Sequence, residues 1–591
     1  MKNYFLHHTF LLGLFIVCAV SVLTILPLFH DGFFPIHDDA QIVRIQQMTK
    51  ALSDGQFPVR WVSDLGYGYG YPIFNFYAPL PYYVGSFVDL IGFTPLDATK
   101  IMMGVGLLLA GICMYLLGEK IWGVEGGLIS AMVYQFAPYH AVQMYVRGSI
   151  GELYAYAFIP LIIFGFYGLI QNGKSKFKNV ALLVSVLGYV GLILSHNIIA
   201  LLFTILLGIS AFLWYGSCLV LSLKKTSKGS PFWRTSCTSH LYRFALTVLL
   251  AFGISTFFWL PALVEKDYTS VDYVLTSGNS DYHLHFLYPD QLWDSPWGFA
   301  GSAPGREDGM SFKIGKLHIL FGILGVIGAF RGFRDKKRKW SYGHMAIWLG
   351  IILLALSVFM TLEYSTGIWE TFPFFPYIQF PWRFLVFIVF FISLFAGGIV
   401  RLNKKNVLTI ILTLLISAGV VFVNLKYFNP QAYYLLSFKE YESDVYVKWH
   451  ISKISDEYLP AELPRPKSQF EIHTSKFEIE DGVVENQIIT STEQSSTIVA
   501  EKPTILRMNT AYFPGWRLFI DDQEVEPVVI TGTMQTSIAE GNHVVRLLFT
   551  NTAVRKVANT ISILSGVLLF GTMWWVAYEK KAFARNHDAR L

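Results

Sequence analysis

An acidic pair, Asp38-Asp39, follows the first apolar run of the chain and is preceded by His37. A carboxylate placed beside a substrate hydroxyl can accept its proton, which is the task of a general base. Successive side chains on a helix point roughly 100° apart, so the two carboxylates cannot both face one substrate atom. We therefore expect one aspartate to be the working carboxylate and the other to be a helix cap or a supporting partner.

A helix is predicted to begin at this acidic pair, with His37 or Asp38 as its N-cap, and to end at Asp54-Gly55. Its apolar residues share one stripe, namely Ile42, Ile45, Met48 and Leu52. A stripe of this width is typical of an amphipathic helix lying in the headgroup plane of a membrane. The alternative is that both aspartates only cap this helix and favour its positive end.

Further ionisable residues stand at the predicted ends of apolar runs: Arg147, Glu152, His196 and Arg383. Such residues at the edge of the hydrocarbon region are costly unless they are paired or functional. A single histidine or arginine of this kind is commonly a turn residue or one that extends to the interface. Their predicted placement on the same side as the aspartates favours a shared site.

The composition places these residues in a membrane protein. Of 591 residues, 53% are hydrophobic and only 15% are charged, well below the roughly 25% charged residues of soluble domains. The apolar residues come in runs of about 20, the length that crosses a bilayer core. A soluble enzyme, a nucleic-acid-binding protein and a disordered scaffold are therefore poor interpretations, and the predicted surroundings are a lipid bilayer without nucleic acid.

About twelve transmembrane helices are predicted, at residues 9–29, 100–118, 121–139, 152–171, 178–195, 198–222, 241–263, 315–332, 343–361, 381–400, 406–427 and 557–578. The segment 74–93 is interpreted as interfacial or re-entrant. With the N-terminus inside, the basic loops all fall on the cytoplasmic side, as the positive-inside rule requires. The C-terminus is then also cytoplasmic. The predicted outer segments contain no cysteine, which favours the plasma membrane of a bacterium.

Three units are predicted from this threading. Residues 1–427 form a polytopic helical unit with a large outer loop at 30–99. Residues 428–555 form an extracytoplasmic β-rich domain, because period-two stretches alternate there with turn signals such as Pro514-Gly515. An antiparallel β-sandwich suits that length. Residues 556–591 supply the last transmembrane helix and a basic tail.

Several segments resemble known families. They are His37-Asp38-Asp39, Gly55 to Trp61, Gly68 to Pro72, Phe76-Tyr77, Arg147 to Glu152, Ser195-His196-Asn197, Gln379 to Phe384, Tyr512 to Trp516 and Gly541 to Arg546. The loop segments resemble the bacterial membrane proteins labelled 6-pyruvoyl-tetrahydropterin synthase related, and the last two resemble the YfhO-like family. The general layout is similar to GT-C membrane glycosyltransferases. The pterin label implies no chemistry, because the compact zinc site of that soluble synthase is not visible in this sequence.

The GT-C resemblance implies transfer of a sugar from a polyprenyl-phosphate carrier to an acceptor on the outer face, with inversion at the anomeric carbon. In that chemistry Asp38 or Asp39 would be the catalytic base, and Arg147 and Arg383 would hold the phosphate. His37, Glu152 and His196 would then bind or orient the substrate. The implied enzyme is an inverting transferase that uses a lipid-phosphosugar donor and a cell-envelope glycan, lipid or protein acceptor.

A divalent metal between Asp38, Asp39 and the phosphate is compatible with hard oxygen ligands, which suit Mg²⁺ or Mn²⁺. Not every member of the class needs one, so no cofactor is assigned. Alternative functions are a polysaccharide polymerase or ligase and a flippase for lipid-linked sugars. A transporter usually carries internal repeats and polar helices at the midplane, and neither is visible in this sequence. A non-catalytic anchor for the β-domain would not need twelve spans.

Overall fold

The structure, a computed structural model, describes residues 2–170, 175–223, 232–276, 278–334, 342–403, 406–435, 437–473 and 475–588. Within these ranges the protein is mostly helical, with a β-rich region near its C-terminal end.

The α-helices are α1 Lys2–Ser21, α2 Gln41–Ser53, α3 Ile73–Phe76, α4 Leu80–Leu90, α5 Pro95–Trp122, α6 Val124–Gln135, α7 Pro138–Val142, α8 Ile150–Ile170, α9 Ser175–Ser195, α10 Asn197–Leu223, α11 Phe232–Ile254, α12 Thr256–Val264, α13 Val271–Thr276, α14 Pro289–Trp293, α15 Lys316–Arg334, α16 Tyr342–Thr361, α17 Thr366–Thr371, α18 Leu385–Ala396, α19 Asn406–Asn424, α20 Phe438–Tyr441 and α21 Ala553–Asp588. The main 3-10 or π-helical extensions are Val22–Phe29, Gln143–Arg147, Pro381–Phe384, Gly397–Arg401 and Val445–Ile451.

Eight helical segments of the described chain are long and apolar enough to cross a membrane, or nine if the bent pair α11–α12 counts as one span. The two members of that pair meet at 69°. The predicted count of twelve is therefore not confirmed. The run at 121–139 forms the 12-residue α6, and α9 provides only a shorter apolar helix, Asn179–Ser195. Apolar runs that pack inside the helical unit do not need the full length of a bilayer span.

Helix α5 passes through the helical unit and packs on α6 and α8. It begins where the side chain of Thr94 accepts a hydrogen bond from the backbone N–H of Asp97 at 3.1 Å. Pro95 occupies its first turn, where a missing N–H costs nothing. It ends at Gly123, whose φ of 91° favours glycine.

Helix α2 differs from the predicted amphipathic surface helix. Its N-cap is Ala40 and makes no side-chain cap hydrogen bond, so the prediction that His37 or Asp38 caps it was wrong. Arg44 and Gln47, on its polar side, are buried as deeply as its apolar residues. The helix is buried because it packs on α4 and α5. Its predicted end at Asp54 is confirmed.

Nine strands follow the helical unit: β1 Phe477–Ile479, β2 Gly482–Ile489, β3 Glu493–Ala500, β4 Thr504–Ala511, β5 Trp516–Ile520, β6 Gln523–Val525, β7 Val528–Ile530, β8 Thr533–Ile538 and β9 Gly541–Phe549. They form two antiparallel sheets, ordered β1-β4-β8-β7 and β2-β3-β9-β5-β6. Leu506 and Met508 of the first sheet and Leu518 and Leu547 of the second are buried in one core. The predicted β-rich C-terminal region is therefore confirmed.

The segment 428–476 lies between α19 and β1 and carries no strand in its described residues. It packs against the first loop, as shown by the mutual backbone hydrogen bonds of Phe33 and Tyr434. The predicted division at 428 stays a prediction.

Many of the basic residues that orient the chain lie outside the described residues. These residues are Lys174, Lys224, Lys225, Lys228, Lys336, Lys337, Arg338, Lys339, Lys404 and Lys405. The cytoplasmic placement of both termini and the outer placement of the β-region stay predictions.

Candidate functional site

The acidic loop is fixed to the segment that carries Arg147 by backbone hydrogen bonds. The N–H of His37 donates to the carbonyl of Val146, and the N–H of Asp38 donates to that of Arg147, both at 3.0 Å. Gly148 has a φ of +64°, and a Cβ there would lie 2.4 Å from Ile36. Glycine is therefore required at this close approach, and two distant parts of the sequence meet as predicted.

Asp38 is held by the residues around α2. Its Oδ2 accepts hydrogen bonds from Arg44 Nη1 at 2.9 Å, Gln41 Nε2 at 2.9 Å and Tyr77 Oη at 3.2 Å. The guanidinium of Arg44 is buried and lies 4.6 Å from the ring centroid of Tyr77. Burial alone would lower the pKa of Arg44, but the charge of Asp38 keeps it well above its usual value. Asp38 therefore serves as the counter-ion of a buried arginine.

Asp39 points to a different partner. Its Oδ2 accepts one hydrogen bond, from the hydroxyl of Tyr434 at 3.3 Å. Burial raises the pKa of Asp39 to about 7, the Tyr434 hydroxyl opposes this shift, and the charge of Asp38 adds to it. A carboxylate with a pKa near neutrality is suited to accept a proton and later release it.

Glu152 is the centre of a second, adjacent cluster. It is fully buried in the first turn of α8. Its Oε1 lies 2.9 Å from Arg147 Nη1 and 3.3 Å from Arg383 Nε. Its Oε2 accepts a hydrogen bond from Gln143 Nε2 at 2.5 Å. One carboxylate thus holds two arginines that are far apart in sequence.

The two arginines keep part of their hydrogen-bonding capacity free. Arg147 uses Nη1 for Glu152 and Gln143, and Arg383 uses Nε for Glu152 and Nη1 for the carbonyl of Ile378. Within the described chain, Nη2 of both arginines has no hydrogen-bond partner. The cluster has two positive charges and one negative charge, so it suits an anion.

Aromatic rings lie against both guanidinium groups. Arg147 lies 4.4 Å from the ring centroid of Trp382, and Arg383 lies 5.0 Å from that of Phe380. These two rings stack on each other at 4.8 Å. Cation–π contact therefore adds to the ion pairs that orient the arginines.

The two predicted histidines occupy different positions. His196 Nε2 lies 3.8 Å from Glu152 Oε1, and its Nδ1 accepts the N–H of Ile199 at 3.2 Å. This contact places the proton of a neutral ring on Nε2, towards Glu152. His37 is exposed and its Nε2 lies 2.9 Å from the carbonyl of Phe299. The loop after α14 therefore lies beside His37.

The structure brings all seven predicted site residues into two neighbouring groups. His37, Asp38 and Asp39 form one, and Arg147, Glu152, His196 and Arg383 form the other. Sequence reasoning missed Arg44, Tyr77, Gln143 and Tyr434. The sequence offered one signal for Arg44. It lies six residues after Asp38, on the helix predicted to begin at the acidic pair. Nothing in the sequence pointed to Tyr434, which lies 395 positions after Asp39.

The donors of the described chain do not fit a metal held by the protein alone. No three His, Cys, Asp or Glu side chains in these ranges are grouped to bind an ion. Asp38 already neutralises Arg44, which leaves Asp39 as one available carboxylate. We therefore assign no chemical step to a metal.

Comparison with known proteins gives one relative and several solved structures. An uncharacterized protein of Lactococcus lactis subsp. cremoris (strain MG1363) is 24% identical over 361 residues, covering 58% of this chain and 53% of the relative. The chain thus spans about half the length of that relative.

Several solved structures are similar to this chain. The apo oligosaccharyltransferase of Archaeoglobus fulgidus is 13% identical, with 79% of this chain and 62% of that chain covered and a TM-score of 0.45. The mycobacterial arabinofuranosyltransferase AftD (mutant R1389S) is 12% identical, with 72% and 28% covered and a TM-score of 0.44. ArnT of Cupriavidus metallidurans, bound to undecaprenyl phosphate, is 10% identical, with 71% and 89% covered and a TM-score of 0.28. At these identities and TM-scores, the similarity assigns no activity to this chain.

The family comparison covers the helical part of the site. Residues 74–289 match the model described as "6-pyruvoyl-tetrahydropterin synthase related domain; membrane protein". This range contains Arg147, Glu152 and His196 but neither aspartate nor Arg383. The resemblance inferred from the sequence is therefore confirmed: over residues 74–289 this chain is similar to the 6-pyruvoyl-tetrahydropterin synthase related membrane proteins.

Proposed function

We propose that the chain is an integral membrane glycosyltransferase. It transfers a sugar from a polyprenyl-phosphate-linked donor to a glycan, lipid or protein acceptor of the cell envelope, on the outer face of the membrane. The observation that carries the proposal is the contact between the acidic loop and the arginine cluster. Backbone hydrogen bonds join the loop that carries the proton acceptor to the segment that carries Arg147, and transfer from a phosphate carrier requires both a proton acceptor and an anion-binding group.

Asp39 is the base in this proposal. The acceptor hydroxyl oxygen attacks the anomeric carbon, and its proton passes to a carboxylate oxygen of Asp39. The bond between the anomeric carbon and the phosphate oxygen breaks, and the electron pair leaves with the polyprenyl phosphate. Attack on the face opposite the leaving group inverts the anomeric carbon, as the GT-C resemblance implies. Asp38 is not assigned as the base, because its carboxylate is the counter-ion of the buried Arg44, and neutralising it would leave that cation unpaired.

Arg147 and Arg383 stabilise the phosphate that is released. Negative charge grows on the phosphate as the glycosidic bond breaks, so fixed cations bind the transition state more tightly than the ground state. Glu152 holds both guanidinium groups in place before the substrate arrives. Because they do not need to reorganise during the reaction, their electrostatic effect is larger than that of mobile side chains.

The test begins with a gene deletion. The envelope polymers of the deletion strain are compared with the wild type for a missing sugar, and the strain is then complemented with variants. Asp39→Asn should leave the sugar missing although the protein is present in the membrane. Asp31→Asn, an exposed carboxylate in the same loop, is the control and should restore it.

Two outcomes would contradict the proposal. Full restoration by Asp39→Asn would show that this carboxylate is not the base. A deletion strain that accumulates the lipid-linked sugar on the inner leaflet, with unchanged transfer once the sugar is supplied outside, would indicate a flippase.

A further inference from the structure

The residues around Tyr434 are locked onto the loop that follows the first membrane span. Tyr434 and Phe33 exchange two backbone hydrogen bonds of 2.9 Å each. A Cβ on Gly32 would lie 2.2 Å from the carbonyl oxygen of Tyr434, so only glycine permits this approach. Next to it, the ring of Tyr433 stacks on His30 at 3.8 Å. The backbone of Tyr434 is thus held against the loop that carries Asp39.

Farther along the chain, the segment that follows Tyr434 contacts the loop after the first membrane span a second time. The N–H of Tyr67 donates to Ser452 Oγ at 3.0 Å, and the hydroxyls of Tyr71 and Ser455 lie 3.2 Å apart. Tyr458 stacks on Phe76 at 5.0 Å with an interplanar angle of 12°. We call the described residues 430–435 and 437–459 the strap. Because the strap is attached at both ends, its position relative to Asp39 is fixed.

We propose that Tyr434 is a positioning residue for Asp39: its hydroxyl donates to Oδ2 and fixes the carboxylate so that the other oxygen faces the acceptor. This inference rests on the proposed function. The reaction centre is then completed by the strap, since the helical unit supplies the base and the strap supplies the group that orients it. The 3.3 Å contact is long for a hydroxyl donor, and hydrogen bonds of this kind commonly shorten when the substrate binds.

The charges and titratable groups around Asp39 give the direction of the effect. Asp38 faces it from its own loop, and Tyr434 and Tyr446 face it from the strap. Burial and Asp38 raise the pKa of Asp39, and only the Tyr434 hydroxyl lowers it. Removing that hydroxyl leaves the two raising effects unopposed, so the carboxylate should hold its proton to a higher pH.

The test compares Tyr434→Phe with Tyr433→Phe in the full-length protein. Each variant loses one hydroxyl and keeps its ring, but only the first loses a hydrogen bond to Asp39. We expect the acidic limb of the transfer rate of Tyr434→Phe to move to higher pH, with a larger loss at acidic than at alkaline pH. Tyr433→Phe should keep the wild-type profile. A structural role alone would lower the rate equally at every pH.

Infrared spectroscopy gives a readout that does not depend on transfer. The protonated carboxyl band of Asp39, assigned by its absence in Asp39→Asn, should persist to higher pH in Tyr434→Phe. If Asp39→Asn is inactive but Tyr434→Phe leaves both the band and the pH profile unchanged, only the proposed role of Tyr434 is overturned. An active Asp39→Asn would instead overturn the proposed function.

Discussion

At the scale of single residues, the carboxylates of Asp38 and Asp39 differ in their partners. One neutralises a buried arginine, and the other is half-buried with a single hydroxyl donor. Asp39 has a pKa raised to about 7, so it is protonated below that pH and cannot accept a proton there. Transfer should therefore rise about tenfold per pH unit below neutrality and level off above it. Initial rates measured across this range check the prediction, and a rate independent of pH would contradict it.

Glu152 supports a second prediction at this scale. Glu152→Gln removes the only carboxylate that Arg147 and Arg383 contact among the described residues. Two buried cations are then left facing each other, which should cost about 3–5 kcal/mol of stability. Thermal unfolding in detergent should show a lower apparent Tm. Glu363→Gln, at an exposed carboxylate, should leave it unchanged, and equal Tm values for the two variants would refute the argument.

At the scale of elements, Arg555 joins the last helix to the β-region and to the end of α12. It is fully buried, lies 3.0 Å from Glu265 and donates to the carbonyls of Thr550 and Pro514. Arg555→Met should leave Glu265 buried without its cation and loosen the junction. Limited proteolysis should then cut between β9 and α21 faster than in the wild type. Lys556→Met changes the next, exposed residue and should show no such change; equally fast cleavage there would disprove the role of Arg555.

At the scale of the whole molecule, the proposed reaction centre requires the acidic loop and the β-region to lie on the same side of the membrane. In a cysteine-free background, cysteines at Asp31 and Glu540 should react with an impermeant maleimide added to intact cells. A cysteine at Lys339 should react only after permeabilisation, because the basic loops are predicted to be cytoplasmic. Labelling of Asp31 and Glu540 from opposite sides would contradict both the topology and the proposed reaction centre.

The sequence by itself determined the membrane setting and the β-rich end, and it predicted seven site residues. Hydrophobic runs, period-two patterns and costly charges at helix ends are local signals, so a single chain displays them. Only the tertiary structure decided that α2 is buried, that Glu152 joins Arg147 to Arg383, and that Asp39 meets Tyr434. These contacts join residues up to 395 positions apart. Packing selects such partners, and no local pattern encodes which element will lie against which.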